Sequence, residues 1–290
     1  MNETPTSVRS PESLRQHYQI ERELADRLRN ASPADRAHLY RTVYNELFLR
    51  VPDHSQLSRK QNGEQQQETT ERQLRLLRRF LRPNAVYLEI GPGDCHLAAT
   101  VAREVRQVYA LDVSDEIIGK VKRLANFAPV VFDGVRVELR PESIDVAYSH
   151  QVLEHLHPDD ASQQLRGVFE ALAPGGVYVC TTPHRFSGPH DISKYFDAEA
   201  TGFHLKEYTY RELRRLFLRT GFARTGVWGG LKGYFWKLPD SLVLAAEGLL
   251  GLSPRWLRQR LARAVPFRAV FDSVTIVGYK AHSTPEPLDS

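Results

Sequence analysis

Short apolar runs recur along the middle of the chain, and each is followed by a polar or glycine-containing turn. Runs of about four to eight apolar residues bounded in this way are typical of buried strands. Between them, apolar residues return at helical spacing, which predicts amphipathic helices. The alternation predicts an α/β fold with a doubly wound, mostly parallel sheet. The predicted strands are residues 86–90, 107–112, 130–134, 144–149, 177–182, 222–228 and 272–279.

The region before the first strand is predicted to be helical. Ser32 is a suitable N-cap for a helix with Pro33 at its first position. Residues 61–67 are polar and contain a glycine, which predicts a loop or a frayed helix start. We therefore expect four parts: a disordered tail (1–10), an N-terminal helical cap (11–81), the domain that contains the sheet (82–281) and a second disordered tail (282–290).

A long segment separates the last two predicted strands. The sequence Thr209 to Glu212 forms a capping box for the helix before them, and Gly221 ends that helix. Residues 229–271 then intervene, an unusually long connection with an apolar run at 242–246 and a basic, helix-like stretch at 255–263. We favour a helical insertion that packs on its own domain as a lid or dimer surface. Contact with an anionic membrane and a lipid substrate is the alternative.

Composition narrows the class of protein. The 290 residues suit one α/β domain with helical additions, and the net charge of +4 is spread along the chain without a nucleic-acid-binding module. Cys95 and Cys180 fall in predicted core segments and form no disulfide or zinc spacing. No secretory signal is visible, and no apolar run approaches the roughly 20 residues that span a membrane. We expect a cytoplasmic protein that does not bind nucleic acid and that is either a monomer or a homodimer. Peripheral contact with a membrane remains an alternative.

A glycine turn, Gly91-Pro92-Gly93, follows the first predicted strand and precedes a helix. Glycines let the backbone turn tightly and approach a ligand, and this edge of a doubly wound sheet is where nucleotide-like ligands bind. His96 stands where a dinucleotide fingerprint needs a third glycine. The acids Glu89 and Asp94 suit a pyrophosphate poorly, but they suit a ligand with an ammonium and a sulfonium group.

Two further acids end predicted strands. Asp112 lies about 20 residues beyond the turn, where a carboxylate can accept hydrogen bonds from both ribose hydroxyls of a nucleotide. Asp133 ends the third predicted strand, where it would meet an adenine amino group. The order and spacing of the turn and these acids predict a site for an adenosine-containing cofactor.

The ordered motifs G-P-G-D, A-L-D, S-I-D-V-A-Y-S-H-Q-V-L-E-H-L and L-A-P-G-G resemble the class I S-adenosylmethionine (SAM) methyltransferases of type 11 or type 23. The resemblance is close over residues 82–182 and looser up to residue 279. It implies a seven-stranded sheet with a reversed last strand, SAM as cofactor and transfer of its sulfonium methyl group. The cofactor-binding residues it implies are Glu89, Gly91, Gly93, Asp94, Asp112, Val113, Asp133, Gly134, Ser149 and His150.

Candidate catalytic residues follow the fourth strand. Gln151, Glu154 and His155 share one face if this segment is helical, as we predict. The segment resembles the E-x-x-E-H motif of ubiquinone-pathway O-methyltransferases, in which the acids and the histidine hold a divalent ion. Gln151 replaces the first acid, so we predict no metal site. Histidine titrates near neutral pH, and we predict His155 as the base, with Glu154 orienting it.

Other histidines lie near the same edge of the sheet. His150 and His184 follow the fourth and fifth strands and are further candidates for catalysis, while His190 and His204 lie in segments suited to cover or shape an acceptor pocket. We predict O-methylation of a small molecule, such as a hydroxyl of a sugar, quinone or natural product. The alternatives are a lipid-modifying SAM enzyme at a membrane surface and a non-catalytic SAM-binding scaffold.

Overall fold

The computed structural model describes residues 9–54, 63–114 and 124–282. The tails predicted at residues 1–10 and 282–290 and the loop predicted at 61–67 lie largely or partly outside these residues. The helices are α1 (Pro11–Asn30), α2 (Pro33–Arg50), α3 (Gly63–Leu77), α4 (His96–Val101), α5 (Pro158–Ala171), α6 (Tyr210–Thr220), α7 (Asp240–Gly251), α8 (Arg255–Arg263) and α9 (Arg268–Phe271).

The strands of the described chain form one sheet in the order β3-β2-β1-β4-β5-β8-β6-β7. The first five strands pair in parallel, and β8 runs antiparallel to both of its neighbours. The predicted doubly wound sheet with a reversed last strand is therefore confirmed. The strands are β1 (Val86–Ile90), β2 (Gln107–Asp112), β3 (Phe127–Val131), β4 (Ile144–His150), β5 (Leu172–Pro183), β6 (Arg224–Leu231), β7 (Tyr234–Leu238) and β8 (Ser273–Tyr279).

The sheet has one strand more than the seven that the sequence predicted. The extra strand, β7, lies inside the segment 229–271, which was predicted to be a helical insertion. It forms a hairpin with β6, in which Leu231 pairs with Tyr234. Lys232 and Gly233 close the hairpin with φ of +51° and +80°. Positive φ at both turn residues matches the right-handed twist of the strands, and this explains why the chain folds back here.

Local signals placed several helix ends correctly. Ser32 Oγ accepts the N–H of Asp35 at the start of α2, and the capping box of Thr209 and Glu212 is formed at the start of α6. Gly221 ends α6 with φ of +124°. These contacts join nearby residues, so the sequence pattern alone determines them.

The helix predicted directly after β4 is wrong. Gln151 has φ of +57°, outside the helical region, and only one 3₁₀ turn follows, Leu153–His155. The α-helix begins later, at Pro158, with His157 as its N-cap. The third strand also differs, because β3 ends at Val131 and leaves Asp133 in the turn beyond it.

Helices cover both faces of the sheet. Val86, Leu88 and Ile90 of β1 pack on the face that meets α1, α2, α5 and α6. Tyr87, which points to the opposite face, packs with α3 and α4. A buried ion pair joins α2 to α5, in which Arg36 Nη2 donates to Asp160 Oδ1 at 2.8 Å. Residues of α1 and α2 share one buried cluster with Leu153 and Leu156, so both helices lie over the same side of the sheet as the segment after β4.

Candidate active site

The turn after β1 contains two glycines with left-handed backbone. The φ angles are +64° at Gly91 and +59° at Gly93, a region that glycine enters at no steric cost. A Cβ on Gly91 would lie 2.6 Å from Val152 Cγ2, so the turn packs directly against the segment after β4. A Cβ on Gly93 would meet no described atom within 4 Å. The turn therefore presents bare backbone to open space at Gly93.

Two buried carboxylates lie beside this turn. Glu89 in β1 and Asp112 at the end of β2 are only 5% and 6% exposed. Burial raises the pKa of Glu89 to about 8, and the nearby charges of Asp94 and Asp112 act in the same direction. Asp112 accepts the N–H of Gly93 on Oδ2 at 3.4 Å and the N–H of Ser114 on Oδ1 at 3.0 Å. Asp112 at the end of β2 is thus hydrogen-bonded to the glycine turn that follows β1.

The charge of this edge fits the expected cofactor. Among the described residues, the side chain that is hydrogen-bonded to Glu89 is the neutral hydroxyl of Tyr87, at 3.2 Å, and not a cation. A buried carboxylate without a cation is costly, and a positively charged ligand would lower that cost. SAM carries an ammonium and a sulfonium group, and its ribose hydroxyls suit the Asp112 carboxylate. The residues present fit SAM, and Glu89, Gly91, Gly93 and Asp112 are those that would hold it.

The remaining cofactor residues predicted near β2 and β3 lie on the same rim. A Cβ on Gly134, where φ is +87°, would lie 3.2 Å from Val113 Cγ1 and 3.3 Å from Tyr40 Cβ of α2. These residues therefore pack together beneath α2. Asp133 Oδ1 accepts the N–H of Val135 at 2.8 Å and caps the turn after β3. The adenine contact of Asp133 stays a prediction.

Three other residues of the predicted set differ in their environments. Ser149 Oγ is hydrogen-bonded to the hydroxyl of Tyr178 at 2.7 Å inside the core, so the side chain points away from the open rim of the sheet. His150 is half-buried, and burial lowers its pKa to about 4, which keeps the ring neutral. Asp94 is exposed and accepts the N–H of His96 at 2.9 Å at the start of α4.

Glu154, His155 and His204, which we call the Glu154 triad, converge close to the glycine turn. Their carboxylate oxygen and ring nitrogens lie within 4.8 Å of one another. Val152, which contacts Gly91, precedes Glu154 by two residues. The structure therefore brings the predicted base and its neighbouring acid together with a histidine from the loop before α6.

The backbone of Phe203, and not Glu154, orients His155. His155 Nδ1 lies 3.0 Å from the Phe203 carbonyl oxygen, which only accepts, so Nδ1 carries the proton and Nε2 holds the lone pair. Nε2 is 4.0 Å from Glu154 Oε1, too far for a hydrogen bond. The orienting role predicted for Glu154 is therefore wrong. Glu154 Oε2 accepts from the Thr182 hydroxyl at 2.9 Å, while Oε1 is buried without a hydrogen bond from the described residues.

Burial and nearby charges control the protonation of the triad. Burial lowers the pKa of His155 to about 3 and raises that of Glu154 to about 7. For His204, burial is outweighed by the hydrogen bond to Glu207 at 2.9 Å and by nearby carboxylates, and its pKa rises to about 9. Near neutral pH the triad thus combines a neutral histidine, a cationic histidine and a carboxyl group between its two states.

A second cluster, the Glu21 triad of His17, Glu21 and His54, adjoins the first. Glu21 Oε1 lies 2.7 Å from His17 Nε2 and 3.5 Å from His54 Nε2, and all three residues are buried. Burial favours the protonated acid, but hydrogen bonds from both histidines outweigh it and lower the pKa of Glu21 to about 2. Glu21 Oε2 also accepts the N–H of Phe203 at 3.3 Å. The Phe203 peptide groups therefore link the two triads.

Both triads contain side chains that can bind metals. Arg9 donates to His17 Nδ1 at 2.7 Å, so the ring proton of His17 lies on the Nε2 that bonds Glu21. In the Glu154 triad, His155 Nε2 holds a lone pair, whereas His204 Nδ1 is hydrogen-bonded to Glu207. Both triads are hydrogen-bonded clusters, and we derive no step through a metal.

Two histidines near the predicted site have structural partners. His184 is completely buried; its Nδ1 accepts the N–H of Phe186, and its Nε2 donates to Glu247 on α7, each at 3.0 Å. With both nitrogens bonded, His184 fixes α7 to the sheet, which argues against the catalytic role predicted for it. His190 Nε2 is hydrogen-bonded to Ser187 Oγ at 2.9 Å in the same loop.

The sequence interpretation missed Glu21, His17, Glu207 and the Phe203 backbone. The pairs His17–Glu21 and His204–Glu207 are visible as acids four and three residues from a histidine. Their approach to His155, however, depends on two long-range hydrogen bonds. His155 and Phe203 are 48 positions apart in the sequence, and Glu21 and Phe203 are 182 positions apart. Local spacing carries no signal for contacts of that range.

Known proteins give an independent comparison for this geometry. The methyltransferase domain family of type 23 matches residues 62–225, which exclude α1, α2 and the helices α7 to α9. A probable S-adenosylmethionine-dependent methyltransferase of Mycolicibacterium smegmatis is 30% identical over 136 residues, or 47% of this chain and 51% of the relative. The chain thus spans about half the length of that relative.

Solved structures share the fold at low identity. A chain of the complex between the Haloferax volcanii Trm112 methyltransferase activator and a methyltransferase has a TM-score of 0.55 at 16% identity, covering 76% of this chain and 93% of that one. Burkholderia thailandensis 1,6-didemethyltoxoflavin-N1-methyltransferase has a TM-score of 0.53 at 17% identity, covering 87% and 91%. Because the matched family spans more than half of the residues and includes the glycine turn and its acids, this chain belongs to the class I methyltransferase domain family, whose cofactor is SAM.

Proposed function

We propose that this chain transfers a methyl group from SAM to a hydroxyl oxygen of a small molecule. SAM, when bound, supplies a methyl group activated by the positive charge of its sulfonium. The observation that carries the proposal is the Glu154 triad beside Gly91, where a neutral histidine lies next to a buried carboxyl group. A hydroxyl is a weak nucleophile until its proton leaves, and this triad is equipped to take that proton.

His155 is the proposed proton acceptor. Its Nδ1–H is held by the Phe203 carbonyl at 3.0 Å, so the lone pair on Nε2 keeps one direction without further reorganisation. When Nε2 gains the proton, the new positive charge lies 4.0 Å from Glu154 Oε1. An ionised Glu154 stabilises that charge and offsets the repulsion from cationic His204, whose ring lies 5.0 Å from that of His155.

Aromatic side chains restrict water around His155. The ring of Tyr44 on α2 stacks on Phe203 at 5.2 Å and meets the His155 ring edge-on at 5.9 Å. The side chain of His155 is consequently only 16% exposed. These rings support an acceptor with a flat or apolar portion, such as an aromatic ring or a sugar face.

The identity of the methylated atom, oxygen or nitrogen, distinguishes the proposal from its alternatives. The Burkholderia thailandensis relative is named as an N-methyltransferase, so amines belong in the test beside hydroxyl compounds. The experiment incubates the chain with SAM and matched pairs of acceptors that differ only in a hydroxyl or an amine, and detects S-adenosylhomocysteine and product by mass spectrometry. We expect O-methylated product. Exclusive N-methylation would overturn the oxygen acceptor, and SAM binding without S-adenosylhomocysteine from any acceptor would favour a scaffold.

A further inference from the structure

The segment between β7 and β8 exposes many apolar side chains. Among the described residues, eleven large apolar side chains are exposed, and six of them lie between residues 242 and 267. Isolated exposed apolar residues are ordinary, whereas a concentration of them marks an interaction surface. We call the six the apolar surface: Leu242 (65% exposed), Leu249 (71%), Leu252 (85%), Trp256 (66%), Val265 (73%) and Phe267 (40%).

Helix α7 is uncharged on its outward side. A helix on a protein surface normally carries polar and charged residues there. On α7, however, the exposed positions after Asp240 are Ser241, Leu242, Ala245, Leu249 and Gly251. The inward side packs on the protein through Val243, Glu247 and Leu250. The outward side of α7 therefore carries no charged side chain that would be stabilised by contact with water.

The three helices of this segment form one layer. Leu250 of α7, Ala262 of α8 and Phe271 of α9 meet Phe186 in a single buried cluster. Because their inward sides share this cluster, their outward side chains lie on the outer side of one layer. The apolar surface is thus carried by one packed unit.

The charges that border this surface are mostly positive. Residues 240–272 contain five arginines and three acids. Of the acids, Glu247 is buried and paired with His184, Asp240 accepts the N–H of Val227, and Asp272 lies 3.6 Å from Arg268. Trp256, Arg260 and Arg263 are exposed and lie four and three residues apart, on one side of α8. Tryptophan and arginine side by side are typical of helices that lie in the headgroup region of a membrane.

We infer that the apolar surface docks on a bilayer that contains anionic lipids. The apolar side chains enter the boundary between headgroups and acyl chains, and the exposed Arg260 contacts lipid phosphates. Charge favours this partner over a second copy of the chain, since a two-fold contact through α8 would place arginines of both copies together. None of the described helices is long and apolar enough to cross a membrane.

The same layer holds the loop that contributes to the candidate active site. Gln259 donates to the carbonyl of Gly188 at 2.6 Å, and Arg263 donates to the carbonyl of Ser187 at 2.9 Å. The N–H of His190 in this loop donates to Glu207 Oε1 at 2.7 Å, the oxygen that is also hydrogen-bonded to His204 of the Glu154 triad. The layer that carries the apolar surface is therefore connected by hydrogen bonds to the Glu154 triad. The inference stands independently of the proposed methyl acceptor.

Vesicle flotation of the full chain tests the inference. The vesicles are phosphatidylcholine alone or phosphatidylcholine with about 30% phosphatidylglycerol, at low and high salt. We expect binding to the anionic vesicles that weakens as salt increases. Leu252→Glu and Arg260→Glu should each weaken it about tenfold or more, because one loses apolar insertion and the other reverses a contact charge.

Matched controls keep the outcome specific. Leu49 on α2 is 83% exposed, against 85% for Leu252, and Arg103 is an exposed arginine beyond α4. Leu49→Glu and Arg103→Glu should leave binding unchanged, and thermal melting verifies that each variant is folded. Equal losses in Leu49→Glu and Leu252→Glu, or no flotation with anionic vesicles at low salt, would overturn the inference. A dimer that Leu252→Glu dissociates, without vesicle binding, would overturn it in favour of self-association.

Trp256 supplies a direct readout of depth. We expect its fluorescence to shift to shorter wavelength with anionic vesicles, since an indole leaves water when it inserts. Trp256→Phe should lose the shift and keep flotation. An unshifted spectrum under conditions of full flotation would contradict insertion through this surface.

Discussion

His155 donates its Nδ1–H to the carbonyl of Phe203 across 3.0 Å, although the two residues are 48 positions apart. The bond joins the segment after β4 to the loop before α6. It also fixes the tautomer of the ring, so that Nε2 holds the lone pair. Since the N–H of Phe203 is bonded to Glu21 of α1, three separate parts of the chain determine the direction of one imidazole.

Substitution of His155 tests its role as the base. His155→Gln should reduce kcat by about 10²–10⁴-fold, the usual contribution of a general base, and leave SAM affinity unchanged. S-adenosylhomocysteine formation with an accepted substrate gives kcat, and calorimetry gives the affinity. His38→Gln, at an exposed position of α2, is the control. An unaltered kcat in His155→Gln would remove His155 as the base.

Glu154 should make the rate depend on pH. Its pKa is raised to about 7, so the carboxylate that stabilises protonated His155 forms as pH rises through that value. We expect kcat to increase between about pH 6 and 8. In Glu154→Gln the rate should be lower and flat over this range, because the pKa of His155 lies near 3 and its ring stays neutral. The same rising limb in both proteins would contradict the assignment.

The two glycines of the turn should respond differently to alanine. Both substitutions strain a left-handed backbone, but only a Cβ at Gly91 would clash with Val152. Gly91→Ala should therefore lower the free energy of unfolding by about 1–3 kcal/mol, and Val152→Ala should recover part of that loss. Gly93→Ala should chiefly weaken SAM binding, since its Cβ enters the open space. Denaturant unfolding and calorimetry separate the two effects, and equal behaviour of both variants would refute the distinction.

Glu21 should stabilise the fold in a pH-dependent way. Its pKa falls from 4.5 to about 2 on folding, so its contribution is present above pH 4.5 and is lost as pH falls towards 2. Glu21→Gln removes the carboxylate that accepts hydrogen bonds from His17 and from the N–H of Phe203, and should cost about 1.5–3 kcal/mol at neutral pH. Urea unfolding from pH 7 down to 3 should show a shallower loss of stability in the variant. Glu12→Gln, at an exposed position of the same helix, should have the stability of the wild type. An equal loss of unfolding free energy in Glu12→Gln would contradict the role of Glu21.

The sequence predicted those parts of the fold that local signals determine. The predicted stretch 255–263 coincides with α8, and the glycine turn follows β1 as expected. Apolar runs and capping residues act within a few positions, so the pattern reports them directly. The hairpin of β6 and β7 had a weaker signal, because Lys232 rather than asparagine or aspartate precedes the glycine of its turn.

The parts that failed depend on tertiary contacts. The segment 151–155 has helical spacing, but Gln151 adopts a left-handed backbone and Val152 packs against Gly91 instead. His184 was expected near the chemistry, yet Glu247 on α7 binds its ring. In both cases a distant partner determines the conformation of the residue, and the sequence around it contains no sign of that partner.

The central claim is that SAM is held at the edge formed by Glu89, the glycine turn and Asp112. Isothermal titration of SAM into the wild type and into Asp112→Ala tests it most directly. Asp159→Ala serves as a control at an exposed acid, and thermal melting verifies that both variants are folded. We predict one SAM bound per chain in the wild type and in Asp159→Ala, and loss of binding in Asp112→Ala. Unchanged SAM affinity in a folded Asp112→Ala protein would contradict the placement of the site.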